Sequence, residues 1–276
     1  MKMNFLPLSF KRWAKNGLSE WVARHGYQIS KIKAFDENTG LTAFDIQARV
    51  IGDAGARAII FDVGANRGQT TARYRALFPA ATIHAFEPVR EFFQTCLKNT
   101  VGDDRVIMNN IALSDTEGEV MFHETIGGQS SSVLPQGDLI PYYFAAGDFT
   151  ESRSYPVKTR SIDSYCLEAH IGQIDILKLD TEGFELNVLK GASRLLQAGR
   201  IRVIYSEVNF ERFWEKCALY HHLAAFLENF GMDLFALYNV GAGALGATKS
   251  GDALFVRHEE KRRMLADAAA KARSHN

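Results

Sequence analysis

Cysteine is scarce: the chain has three in 276 residues, and Cys96, Cys166 and Cys217 lie far apart. No CxxC pair occurs, so neither a zinc cluster nor a disulfide framework is expected, and the thiols read as reduced and buried. An excess of one charge is also missing, since 32 Lys and Arg balance 32 Asp and Glu. That balance lacks the basic footprint of a nucleic-acid binder. Long apolar runs are absent too; none approaches the roughly 20 residues of a spanning helix. The opening MKMNFLPLSFKRWAKNG makes no secretory core, because Asn4, Pro7 and Ser9 break its apolar run. A cytoplasmic protein is the default expectation. Phe5, Leu6, Phe10 and Trp13, beside Lys11, Arg12 and Lys15, read first as packing on the domain or a partner subunit, second as touching a membrane surface. No Ser–His–Asp or Cys–His arrangement stands out, and His221 and His222 read as surface residues.

What is present is an alternation of strand and helix. After a mixed extension, residues 1–55, apolar β-favouring runs occur at 58–63, 82–86, 105–111, 174–179 and 203–207. Helical stretches fall between them, at 69–77, 90–98, 184–196 and 217–230, and Gly191 suggests a break in the third. Such alternation implies βαβ units and a mostly parallel sheet. Two late runs, 232–240 and 253–257, are joined only by a Gly-rich loop. A parallel crossover needs a dozen or more residues, usually helical, so these two strands should be antiparallel neighbours. The main domain is expected over 56–258, with an insertion at about 118–172 and a tail helix at 259–276. So long an insertion in a compact domain is usually functional or partly disordered. No internal repeat is evident.

The segment IIFDVGANRGQTTARY, 59–74, reads as a buried strand, a glycine turn and a helix start. Ligands of open α/β sheets bind at the carboxyl edge of the strands, where Asp62 falls. The turn Gly64, Ala65, Asn66, Arg67, Gly68 departs from GxGxxG, because Asn66 replaces the middle glycine. A pyrophosphate then has less room against the helix N-terminus. S-adenosylmethionine fits better: its amino-acid end needs close backbone contact, with Asp62 as acceptor for the ammonium, directly or through water. Glu87, in IHAFEP before Pro88, can accept both ribose hydroxyls. Asn110, Ile111, Ala112 and Ser114 would lie beside the adenine.

In ILKLDTEGFELNVLKGA, Lys178, Asp180, Glu182 and Glu185 surround the end of a buried strand. Charges there must face solvent or be paired. Glu185 reads as a first-turn helix residue; Asp180 reads as functional. In IYSEVNF, Glu207 and Asn209 alternate to one side. With Asp180 they can form an oxygen-rich site for Mg²⁺, or hydrogen-bond a polyol substrate. Spacing does not separate these, and no metal ligand is assigned.

Together, FDVGANRGQT, AFEP, NIALSD and LKLDTEGFELNVLKGA resemble the FkbM family of S-adenosylmethionine-dependent methyltransferases, from about residue 58 to 257, the closing GDALFVR included. The block KLDTEGFE is the most specific part. The resemblance implies an α/β class I methyltransferase (Rossmann-like) fold: a seven-stranded, mostly parallel sheet with an antiparallel last strand and helices on both faces. It implies an O-methyltransferase acting on a hydroxyl of a sugar, glycolipid or polyketide-type metabolite. Asp62, Gly64, Asn66 and Glu87 would line the cofactor site, and the serine loop, with Ser131, would cover it. The expected base is Asp180, with Glu182 second. A small-molecule or glycan hydroxyl is the expected acceptor, and a homo-oligomer is left open. The alternatives are an NAD-dependent oxidoreductase and a non-catalytic cofactor-binding subunit.

Overall fold

The computed structural model describes residues 40–52, 57–126, 130–144 and 149–274. The Phe5–Trp13 cluster lies outside them. Seven strands form the main sheet: β1 (Ile59–Val63), β2 (Thr82–Phe86), β3 (Val106–Asn109), β7 (Ile174–Leu179), β8 (Ile201–Asn209), β9 (Met232–Tyr238) and β10 (Ser250–Arg257). Their order is β3-β2-β1-β7-β8-β10-β9. Pairings from β3 to β8 are parallel, and β10 runs antiparallel between β8 and β9. This is the class I methyltransferase arrangement that the resemblance implies.

Strand alternation sends successive side chains to two cores. Phe61, Val63, Leu177, Leu179, Ile204 and Val208 pack on one face with Tyr165, Leu189 and Leu223. These come from helices α5 (Ile162–Glu168), α6 (Glu185–Lys190) and α8 (Tyr220–Glu228). Ile60, Ile83, Ile176, Val203 and Tyr205 pack on the other face with Phe44, Ile46, Tyr74 and Phe78. Phe44 and Ile46 belong to α1 (Ala43–Ile51), and Tyr74 to α2 (Gln69–Leu77). Helix α1 falls in the stretch read as an extension, yet it is a core element. Its side chains alternate too irregularly for strand and its run is too short to announce a helix.

The helical stretch 184–196 divides into α6 and α7 (Ser193–Gln197) around Gly191, which packs against the Ser114 carbonyl. The stretch 217–230 starts late, at Tyr220, because Cys217 is buried with Trp214 and Phe213 below the helix start. Helix α3 (Arg90–Asn99) follows β2, and α9 (His258–Ser274) follows β10. The insertion adds β5 (Gly118–Thr125) and β6 (Glu151–Arg160), which form a second sheet with the preceding β4 (Ala112–Leu113) in the order β4-β6-β5, and the short α4 (Ile140–Tyr143) lies between β5 and β6. Among the described residues, no helix is long and apolar enough to cross a membrane.

Candidate active site

The glycine turn stands where β1 meets β7. Gly64 has φ +74°, and a Cβ there would lie 1.8 Å from the Asp180 carbonyl oxygen. Only glycine permits this approach, because any side chain would force the two strand ends apart. Asn66 holds φ +51°, a left-handed conformation that asparagine tolerates better than most residues. That is how the turn survives without its middle glycine.

The backbone N–H groups of the turn are already engaged. Those of Gly64 and Ala65 both donate to the Phe86 carbonyl at 3.0 Å, and that of Gly68 donates to the Ala65 carbonyl at 2.8 Å. The Asn66 N–H donates to Glu87 Oε2 at 2.8 Å, and the Arg67 N–H to Asn66 Oδ1 at 2.9 Å. A phosphate cradle needs these donors free. Glu87 also accepts from the Val89 N–H, through Oε1 at 2.8 Å. Burial pushes its carboxyl up to about 7, although the Val89 and Asn66 N–H groups oppose the shift.

Asp62 is 0 % exposed, so the structure withdraws it from direct contact with a ligand. Its Oδ1 lies 3.0 Å from Lys178 Nζ, and its Oδ2 accepts from Thr71 Oγ at 2.6 Å. The carboxylate therefore anchors the start of α2 and a buried cation. Lys178 reaches Asp180 at 3.5 Å and donates to the Gly64 carbonyl at 2.8 Å. Burial opposes its charge, but Asp62 and Asp180 outweigh that, and its pKa is raised. Lys178 ties the glycine turn to the end of β7, a role not assigned from sequence. The available signal is a lysine inside an apolar strand, two residues before Asp180 and so on the same face.

Asp180 directly follows β7, with a side chain 48 % exposed. Beyond it the chain turns sharply: Glu182 has φ +55°. The buried Glu185 carboxylate holds this turn, accepting through Oε1 from the Thr181 N–H at 2.8 Å, Thr181 Oγ at 2.9 Å and the Gly183 N–H at 3.3 Å. Its structural role matches the helix-start reading. Burial first, then the charges of Asp180 and Glu185, push the Glu182 carboxyl well above the ordinary range. Carboxylate oxygens of Asp180, Glu182 and Glu207 all lie within 4.8 Å of one another. Asn209 follows Glu207 by two residues on β8, so it lies on the same face of that strand.

The remaining expected residues divide. Asn110 donates through Nδ2 to the Glu87 and Pro88 carbonyls, fixing that loop. Ala112 is buried against Val89 and Phe92. Ser114 is drawn away from the turn: it packs on Gly191, and its N–H donates to the Arg160 carbonyl. Ser131 Oγ accepts from the Thr125 N–H inside the small sheet. The neighbouring Ser132 is the one that reaches the site, donating to the Glu182 carbonyl at 2.7 Å.

Residues 62–234 match the methyltransferase FkbM domain. Over 165 residues the chain is 30% identical to the 2-O-methyltransferase NoeI of Sinorhizobium fredii (strain NBRC 101917 / NGR234), a match spanning 57% of this chain and 65% of that protein. The chain thus covers just under two thirds of that relative. Among solved structures, the magnesium protoporphyrin IX methyltransferase ChlM of Synechocystis PCC 6803 is 10% identical, with TM-score 0.43, over 93% of this chain and 100% of that one. An rRNA methylase of Streptococcus thermophilus is 11% identical, with TM-score 0.42, over 78% of this chain and 94% of that one. The motifs, their strand-end placement and the domain match agree: the chain belongs to the FkbM family of methyltransferases.

Proposed function

We propose that the protein is an S-adenosylmethionine-dependent O-methyltransferase acting on a hydroxyl of a sugar, glycolipid or polyketide-type metabolite. The observation that carries this reading is the contact between the glycine turn and Asp180, which puts an exposed carboxylate at the edge of the cofactor turn. The engaged N–H groups of that turn favour a cofactor without phosphates, and Glu87 stands ready to accept ribose hydroxyls. The relative named above is a 2-O-methyltransferase, which supports oxygen as the acceptor atom. S-adenosylmethionine supplies an activated methyl group on a sulfonium.

The chain's own residues then have two tasks. Gly64, Ala65, Asn66 and Glu87 hold the cofactor, while Asp62 and Lys178 keep their backbone in place from below. Asp180 takes the acceptor's proton or orients its hydroxyl, and Glu182 stands second. Asp180→Asn should retain S-adenosylhomocysteine affinity by calorimetry, while turnover on a panel of hydroxyl acceptors falls by roughly 10²- to 10⁴-fold. Unchanged turnover would remove Asp180 from this role.

A further inference from the structure

The cluster above the β7–β8 edge is short of positive charge. Asp180, Glu182 and Glu207 bring carboxylate oxygens within 4.8 Å of one another. Among the described residues, Lys178 is the cation paired with this cluster, and it is divided among Asp62, Asp180 and the carbonyls of Val63 and Gly64. Asn209 supplies an independent observation. It is 1 % exposed, and neither its Oδ1 nor its Nδ2 has a hydrogen-bond partner among the described residues. Glu207 Oε2 is buried and equally without a partner. Both side chains project from one face of β8 at its carboxyl end, the face that carries Lys178 and Asp180 on β7. Buried polar groups are rarely left unpaired, so this row is built to meet something.

Two occupants fit an oxygen-rich row, a polyol or a cation. A neutral polyol would donate to these oxygens but leave three carboxylates facing one another. A divalent cation answers both needs, because it neutralises the carboxylates and takes a neutral carbonyl as a further ligand. The donor set is all oxygen, which selects a hard ion such as Mg²⁺, Mn²⁺ or Ca²⁺. Opposite ligands on such an ion stand about 4 to 5 Å apart, which matches the spread of the carboxylate oxygens.

We propose that Asp180, Glu182, Glu207 and the Asn209 side-chain carbonyl form a divalent-cation site. Binding of the cation does not depend on the methyltransferase reading. Its use does: beside the turn, the cation would bind the acceptor hydroxyl and make it more acidic.

The test uses the full chain stripped with chelator, with Mn²⁺ as probe, followed by the loss of the free-ion paramagnetic resonance signal and by calorimetry. Saturable binding of one Mn²⁺ per chain is expected. Loss of a direct ligand should cost at least what loss of an outer partner does, about 10- to 100-fold in affinity. Glu207→Gln and Asn209→Leu should each show that loss. Glu182→Gln, on the turn after β7 rather than within a strand, serves if either strand variant fails to fold. S-adenosylhomocysteine affinity, read on the same samples, should not change. A wild-type chain that binds no Mn²⁺, or variants that bind it as tightly as wild type, would overturn the site. S-adenosylhomocysteine binding without Mn²⁺ binding would leave the methyltransferase reading standing alone. Mn²⁺ binding without S-adenosylhomocysteine binding would uphold the site and overturn the cofactor assignment.

Discussion

The β1–β2 half of the sheet edge and the β7–β8 half are both rich in acidic groups, but they treat them differently. Around the glycine turn, each carboxylate is answered by the protein. Asp62 meets Lys178 and Thr71, and Glu87 meets the N–H groups of Asn66 and Val89. On the β8 side, Glu207 Oε2 and the whole Asn209 amide meet no partner among the described residues. A satisfied site is rigid before its ligand arrives and costs little to organise on binding. An unsatisfied one stores a demand for a ligand. The first half thus reads as a preformed cradle and the second as the place where charge is to be supplied.

The largest effect expected from this contrast comes from removing the answering cation. Lys178→Met would leave Asp62 charged, buried and unpaired, which costs about 3–5 kcal/mol. For a domain of this size that is a fall in Tm of roughly 10 °C. Asp62→Asn added to Lys178→Met should recover much of the loss, since the pair acts as a unit. Glu207→Gln should behave oppositely in the metal-free protein. Burial, then Glu182 and Asp180, push the Glu207 carboxyl up, so a neutral isostere relieves a penalty rather than creating one. Urea unfolding of the three variants checks this. A loss above about 1 kcal/mol in Glu207→Gln would put that residue among the ordinary scatter of structural contacts and erase the contrast.

A second test uses pH. The Glu87 carboxyl is raised from 4.5 to about 7, mainly by burial. A raised carboxyl favours the folded state most when protonated. Its stabilising contribution is complete below pH 4.5 and disappears as pH rises through about 7. The shift corresponds to about 3 kcal/mol at most. Wild type minus Glu87→Gln should therefore show stability falling across that window, by urea unfolding at several pH values. Cofactor binding should run the other way, because ionised Glu87 is the better acceptor: S-adenosylhomocysteine affinity should rise through pH 7 in wild type and stay flat in Glu87→Gln. A flat difference in stability would mean that the cradle holds Glu87 without penalty.

Much of this contrast is legible in the chain, and what is not has a physical reason. The expected runs at 82–86 and 174–179 coincide with β2 and β7, because a central parallel strand needs an unbroken apolar run and little else explains one. The charges at the end of β7 must be paired or solvated, and both solutions occur: Lys178 is paired and Asp180 exposed. The pairing itself is not legible, since a lysine in an apolar run does not say which distant carboxylate it meets. The serine loop illustrates register. Ser131 and Ser132 are equivalent as letters, but in the loop that bridges to His123 one meets the Thr125 N–H and the other the Glu182 carbonyl. The unpaired state of Asn209 belongs to three-dimensional packing alone.

Helix α1 gives the smallest of these tests and bears on the floor beneath the β8 half. Thr42 caps it, accepting from the Asp45 N–H at 3.2 Å, and Asp45 accepts from the Thr42 N–H at 2.7 Å in return. Phe44 follows two residues later and meets the Tyr205 ring edge at 5.7 Å between centroids. Tyr205 lies two residues before Glu207 on β8, on the same face, and donates through its hydroxyl to Asp252 at 2.9 Å. The helix thus supports the row that ends in Glu207 and Asn209. Losing an N-cap costs about 1 kcal/mol, so Thr42→Ala should lower Tm by roughly 2–4 °C in a single cooperative transition. Being remote from the glycine turn, it should leave S-adenosylhomocysteine affinity alone. Its effect on Mn²⁺ should be small but measurable, because the floor of one half has loosened while the cradle has not. An unchanged Tm would place α1 outside the cooperative unit, and the β8 row would then owe its position to the sheet alone.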